Sequence, residues 1–182
     1  MCTGNICRSP LAEGFLRDRV EARRLPVTVS STGITFAGRP ATREAIAVAA
    51  DRGVNINAHL SRVLDATQLG DADLIIGMER QHVREAVVLD GDALGRCFTL
   101  PELVRRANEA GVRKTGETLR EWLGRLGAGR VPSDLLGFDE TDEVADPFQR
   151  GIAQYELCAR EIAELVDELV ALAWPTDEEA TS

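Results

Sequence analysis

No stretch of this 182-residue chain is apolar for long enough to span a membrane, and no signal-peptide pattern is visible. There is no internal repeat and no low-complexity tract, so nothing points to a repeat array or a disordered segment. Positive charge is in short supply: 21 Lys and Arg stand against 30 Asp and Glu, a net charge of −9. That balance argues against a nucleic acid or an anionic membrane as partner. It does not exclude a small anionic substrate, which a local group of donors can hold. The four cysteines and two histidines show no zinc-ligand spacing, and no metal or other cofactor is expected. So few cysteines fit a reducing cytoplasm. What is present is an ordinary 44% of hydrophobic residues in a chain long enough for one well-filled domain.

The informative stretch is the first ten residues, Met-Cys-Thr-Gly-Asn-Ile-Cys-Arg-Ser-Pro. Cys2 and Arg8 are separated by five residues, with Gly4 between them to let the chain curl. Successive inward backbone N–H groups make a nest for a phosphate, and a following helix adds the positive end of its dipole. Ser9-Pro10 reads as an N-cap with proline at the first helical position, opening a helix over Pro10–Arg23. An electropositive nest favours the thiolate of Cys2. Arg8 is able to grip two phosphoryl oxygens at once, and the Ser9 hydroxyl to point back at the sulfur. Together they suit metal-free nucleophilic phosphoryl transfer. The bare Cys-to-Arg spacing also arises by chance on surface loops; the full string with Ser-Pro at a helix start is far more specific.

Downstream, Val27–Ser31 reads as a strand, Ala41–Arg52 as a helix closed by Gly53, and Asp73–Met78 as an apolar strand. A helix over Arg80–Leu89, a strand at Leu94–Thr99, helices over Pro101–Ala110 and Glu117–Leu126, and a closing helix over Gln149–Ala173 follow. A polar, flexible tail is expected at 174–182. The alternation implies an α/β fold with a parallel sheet and helices on both faces. Ligands in such folds bind at the C-terminal ends of strands, where the Cys2 loop belongs.

The string Cys2-Thr3-Gly4-Asn5-Ile6-Cys7-Arg8-Ser9-Pro10 resembles the signature loop of the low-molecular-weight protein tyrosine phosphatases. Three further segments are similar to the same family: Ser31–Gly33 with Gly38–Ala41, Asn57–Arg62, and Asp146-Pro147-Phe148 before the long last helix. The resemblance implies a metal-free enzyme of one domain (1–173) with a four-stranded parallel sheet. It implies Cys2 as nucleophile through a phosphocysteine, Arg8 as phosphate ligand, and Asp146 as acid and then base. It also implies Asn5, Ser9 and His59 as the network that holds the loop 2–9, and Cys7 as a disulfide partner for Cys2 against overoxidation. The substrate would be a phosphoprotein or a small aryl phosphate, and inorganic phosphate the product. Phe36 and Phe148 are candidates for lining the pocket, Phe36 being equally open to simple packing.

Three departures from the family pattern stand out. Phe148 and Gln149 follow the Asp-Pro pair where two tyrosines are common. The segment 100–144 is longer than usual. An apolar first strand, central to the sheet and ending just before the nucleophile, is missing from the given chain. The expectation is that a valine start codon further inside the gene was read as Met1, and that the 182-residue chain is poorly stable or inactive without the strand.

Cys97 and Cys158 read as core residues, Cys158 on an apolar stripe with Tyr155, Ile162, Leu165 and Leu169. His82 reads as a solvated helix residue. Arg105, Arg106, Arg113, Lys114, Arg120, Arg125 and Arg130 read as a solvated face of covering helices or a docking surface for an acidic partner, over a buried side of Leu103, Val104, Leu119, Trp122, Leu123 and Leu126. Two other functions stay open. One is a thiol-dependent arsenate reductase, which needs further reactive cysteines. The other is a non-catalytic phosphate- or phosphoprotein-binding relic.

Overall fold

The computed structural model describes residues Met1–Thr176, so part of the tail expected at 174–182 lies outside the described residues. Within it Trp174 is half-buried, and its N–H donates to the Val170 carbonyl, extending the last helix rather than fraying from it. Seven α-helices are described: α1 (Arg8–Ala22), α2 (Arg43–Ala50), α3 (Ala66–Asp71), α4 (Arg80–Leu89), α5 (Leu100–Ala110), α6 (Leu119–Leu126) and α7 (Ile152–Ala173). None is long and apolar enough to cross a membrane. Two short strands, β1 (Ile75–Gly77) and β2 (Cys97–Thr99), pair in parallel with Ile75 opposite Cys97. The chain divides into two compact units, Met1–Leu64 with Val144–Asp167, and Asp65–Glu143 with Glu168 onward.

The first unit carries the N-terminal loop. Helix α1 begins at Arg8, two residues before the expected start, and its N-cap is Cys7 rather than Ser9. The reason is competition: the Ser9 hydroxyl is engaged by Asn5 and Cys2 and is not free to cap. Pro10 still falls in the first turn, where a missing N–H costs no helical bond. Phe15, Leu11 and Val20 on α1 are fully buried. Gly14 lets this helix press against the chain at 54–56; a Cβ there would stand 2.7 Å from Ile56 Cγ2. Helix α2 starts after Thr42, whose Oγ1 accepts from the Ala45 N–H.

The expected four-stranded sheet does not form as continuous ladders among the described residues. In the first unit, Gly33 makes isolated parallel bridges to Cys2 and to Val63. Val27–Ser30 alternates half-buried and exposed residues, as a strand does, but finds no ladder partner. An extended segment becomes a strand only when consecutive backbone groups bond a neighbour, and here the chain bends directly after Cys2 and after Gly33, so each pairing stops at a single residue. Among the described residues only β1 and β2, in the second unit, keep a ladder. The closing helix likewise starts at Ile152, not Gln149, because Gln149 and Gly151 take left-handed φ values of 61° and 81°.

In the second unit the expected helix at Arg80–Leu89 is present with those bounds, and α3 and a 3₁₀ turn over Gly91–Arg96 are additions. The strand expected from Leu94 therefore begins at Cys97. His82 is fully buried, not solvated; its Nδ1 accepts from the Glu79 N–H at 3.0 Å and closes the first turn of α4. Leu103, Val104, Trp122, Leu123 and Leu126 are buried as expected, with Leu119 half-buried.

The basic residues of 105–130 are not one open cationic face. Arg130 is buried, stacked on the Phe98 ring at 4.2 Å and paired with Glu102 at 2.9 Å. Arg106 and Arg105 are paired with Glu102 and Asp142. Burial pulls the Arg130 guanidinium below its usual value, and the Glu102 carboxylate is what keeps its charge favourable. Glu102→Ala should therefore cost about 3–5 kcal/mol, since it strands a buried cation, and the loss is read directly from the urea midpoint.

Candidate active site

The loop 2–7 wraps from the Cys2 bridge into α1. Asn5 sits at its centre with φ 52°, a left-handed conformation that asparagine tolerates better than most residues. Its side chain is fully used. Nδ2 donates to Ser9 Oγ at 2.9 Å and to Ser31 Oγ at 2.8 Å, and Oδ1 accepts from the Arg62 N–H at 2.9 Å. Its carbonyl accepts from His59 Nε2 at 2.7 Å. Ser31 passes the chain on, donating to Glu13 Oε2 at 2.6 Å, and His59 Nδ1 lies 3.6 Å from the same oxygen. Asn5, Ser9 and His59 thus meet in one network, and Glu13, Ser31 and Arg62 complete it. Glu13 was not singled out, although its place one helical turn after Ser9 on α1 carries the signal.

Ser9 decides what Cys2 feels. Its oxygen accepts from Asn5 Nδ2 and lies 3.0 Å from Cys2 Sγ, so its own hydrogen is available to a thiolate there. The backbone N–H groups of Gly4, Asn5, Ile6 and Cys7 have no acceptor among the described residues, so the curled loop keeps four donors for an anion. Arg8 is only 1% exposed; Nη1 donates to the Val144 carbonyl at 2.9 Å and Nη2 lies 3.2 Å from Asp146 Oδ2. Asp146 is half-exposed, and its Oδ1 accepts from the Phe148 N–H at 3.2 Å. These groups enclose a cavity of about 150 Å³ with Cys2 and Arg8 in its lining, Asp146 beside them, and apolar walls from Ile6, Phe36 and Phe148. Both candidate wall residues therefore reach it. A larger cleft, about 340 Å³, is lined by Glu13, Arg17, His59 and Arg62 and contains neither Cys2, Arg8 nor Asp146.

The second loop cysteine lives differently. Cys7 Sγ lies 3.1 Å from the Tyr155 hydroxyl and 3.7 Å from Thr42 Oγ1, and Thr42 donates to Tyr155 at 3.2 Å. Burial pushes the Cys7 thiol up, the Tyr155 bond offsetting it in part. Tyr155, expected only as packing, is a polar anchor for the far side of the loop. All four cysteines are free thiols. Burial pushes Cys97 and Cys158 up to about 12. Among the described residues, no three His, Cys, Asp or Glu side chains gather to hold a metal ion.

The sequence model described as "Low molecular weight phosphotyrosine protein phosphatase" matches residues 1–114. The chain belongs to this family. Among curated relatives, the low molecular weight protein-tyrosine-phosphatase Etp of Escherichia coli is 34% identical over 140 residues, 69% of this chain and 91% of Etp. The protein-arginine-phosphatase of Bacillus subtilis is 33% identical over 105 residues, 57% of this chain and 69% of that one. The low molecular weight protein tyrosine phosphatase structure from T. tengcongensis superposes with a TM-score of 0.70 at 27% identity, covering 93% of each chain. The fold is thus the α/β fold of the low-molecular-weight phosphatases, and the chain is a protein-tyrosine-phosphatase-like phosphomonoesterase, a hydrolase.

Gly33 faces the loop so closely that a Cβ would stand 2.8 Å from the Asn5 nitrogen and 2.9 Å from the Thr3 carbonyl oxygen. Gly33→Ala should displace the loop and weaken binding of inorganic phosphate at least tenfold, as measured by calorimetry. Burial alone would raise the Glu13 carboxyl, but its bonds with His59 and Ser31 outweigh that and hold it down at about 2, against an ordinary 4.5. The unfolded chain then binds this proton first, so stability falls as pH drops from 4.5 towards 2. The loss should reach about 3 kcal/mol and be absent in Glu13→Gln, compared by denaturation at successive pH values.

Proposed function

We propose that this phosphatase hydrolyses phosphotyrosine in proteins, or a similar aryl phosphate, through a phosphocysteine on Cys2. The observation that carries this reading is Cys2 Sγ under the Ser9 hydroxyl, beside four unengaged loop amides and the buried Arg8. The phosphoryl oxygens take the amides and the Arg8 guanidinium, replacing the carboxylate of Asp146 on Nη2. The Cys2 thiolate attacks phosphorus as the ester P–O bond breaks, and protonated Asp146 gives its proton to the leaving phenolate oxygen. Asp146, now a carboxylate, takes a proton from a water that attacks the phosphocysteine. Inorganic phosphate leaves, and Cys2 returns as thiolate. No metal or cofactor enters this scheme. Asn5, Ser9 and His59 hold the loop, and Cys7 is available to close a protective disulfide with Cys2.

An aryl leaving group suits the apolar walls Ile6, Phe36 and Phe148. A phosphoarginine side chain, the class named for the Bacillus relative, would put a polar guanidine against those same walls. Arsenate reduction is disfavoured because Cys97 and Cys158, the only thiols outside the loop, are buried and pushed up to about 12, far from the thiolate a resolving step needs. The intact trio of Cys2, Arg8 and Asp146 speaks against a binding relic. We assign the catalytic domain to 1–173 and place the enzyme in the cytoplasm, with no nucleic-acid or membrane partner.

The test is p-nitrophenyl phosphate hydrolysis with reductant and chelator present. Cys2→Ser should abolish turnover, and Asp146→Asn should lower kcat about 10²- to 10³-fold while vanadate binding persists. Phosphoarginine should be the poorer substrate. Undiminished turnover in Cys2→Ser would remove the phosphocysteine from the mechanism.

A further inference from the structure

The wall residue Phe36 carries a cation. The Arg39 guanidinium sits 3.8 Å from the centroid of the Phe36 ring. Arg39 is exposed, and no carboxylate among the described residues pairs with it, whereas Arg17, Arg19, Arg80 and Arg96 each have one. The loop that holds it is pinned at both ends. Toward Cys2, the Ile34 and Thr35 N–H groups and the Thr35 hydroxyl all donate to the Thr3 carbonyl, at 2.9, 3.1 and 2.9 Å. Toward Ala41, Gly38 turns the chain with φ 72° and donates to the Ser61 carbonyl at 2.8 Å. The Arg39 N–H donates to Ser61 Oγ at 3.0 Å, and its carbonyl accepts from the Ser61 N–H at 2.8 Å. Backbone and guanidinium are both held before any ligand arrives, so pairing with an anion costs Arg39 little further ordering.

The cation stands one ring away from the phosphate cavity, in a chain whose net charge is −9. Phosphate itself has no need of it, since Cys2, Arg8 and the loop amides line the cavity. A phosphotyrosine whose ring lies along Phe36 brings the residues next to it, each about 3.8 Å further along the chain, to this rim. Resting on the phosphatase reading above, we propose that Arg39 is a specificity residue that selects phosphotyrosines flanked by an acidic side chain. It offsets, at one point, the repulsion that the acidic chain would otherwise exert on such a segment.

Two phosphotyrosine peptides that differ only in Glu against Gln on both sides of the phosphotyrosine isolate the charge. The expected result is a kcat/KM preference for the Glu peptide of about fivefold at low salt, carried in KM and fading towards unity in 1 M salt. Arg39→Lys should keep most of the preference, Arg39→Ala should abolish it, and Arg39→Glu should invert it. Equal hydrolysis of both peptides by the unaltered protein overturns the proposal and leaves the phosphatase reading standing. So does an Arg39→Ala variant that is slower on both peptides alike with the ratio kept, for then the guanidinium only props the ring. Hydrolysis of neither peptide nor p-nitrophenyl phosphate would bring down both readings.

Discussion

Everything at this site depends on Asn5 being held in a left-handed turn with no polar atom of its side chain idle. A nest of inward amides is a strained, repulsive arrangement of N–H dipoles, and it needs bonds from outside to persist when no anion fills it. Here the side chain and carbonyl of Asn5 draw in Ser9, Ser31, Arg62 and His59, and the ionised Glu13 closes the circuit behind them. A buried polar network of this kind is worth having only when complete, because each unmet group in a low-dielectric interior is costly. The same bonds that fix the loop also aim the Ser9 hydroxyl at Cys2, so structural support and electrostatic preparation come from one set of contacts.

The two cysteines of one short loop are given opposite conditions. Cys2 opens on the cavity with the Ser9 hydroxyl and the loop amides near it. Cys7 faces inward to Tyr155 and Thr42, where burial favours the neutral thiol. Identical side chains five residues apart thus have different partners, Ser9 for Cys2 and Tyr155 with Thr42 for Cys7.

Charge elsewhere in the chain is used locally rather than as a field. Arg105, Arg106 and Arg130 spend their charge on Asp142, Glu102 and backbone carbonyls, and Arg125 on Glu117, whereas Arg120 stays in solvent. Arg39 is different: its partner is an aromatic ring, which leaves the charge available to solvent and ligand.

The sequence by itself determined the chemistry of the loop. Cys2, Gly4, Arg8 and Ser9 are neighbours in the chain, so their meeting needs only a tight turn and a helix start, both local in origin. Helices with strong patterns were legible for the same reason, α4 to the residue. Tertiary structure alone decided the rest. The pairing of Arg130 with Glu102 and the role of Tyr155 towards Cys7 join residues from separate segments, and no spacing rule encodes such meetings. The sheet shows the same limit. Val27–Ser30 has the alternation of a strand, but a ladder exists only where a neighbouring segment supplies matching donors and acceptors, and that is a property of the folded chain.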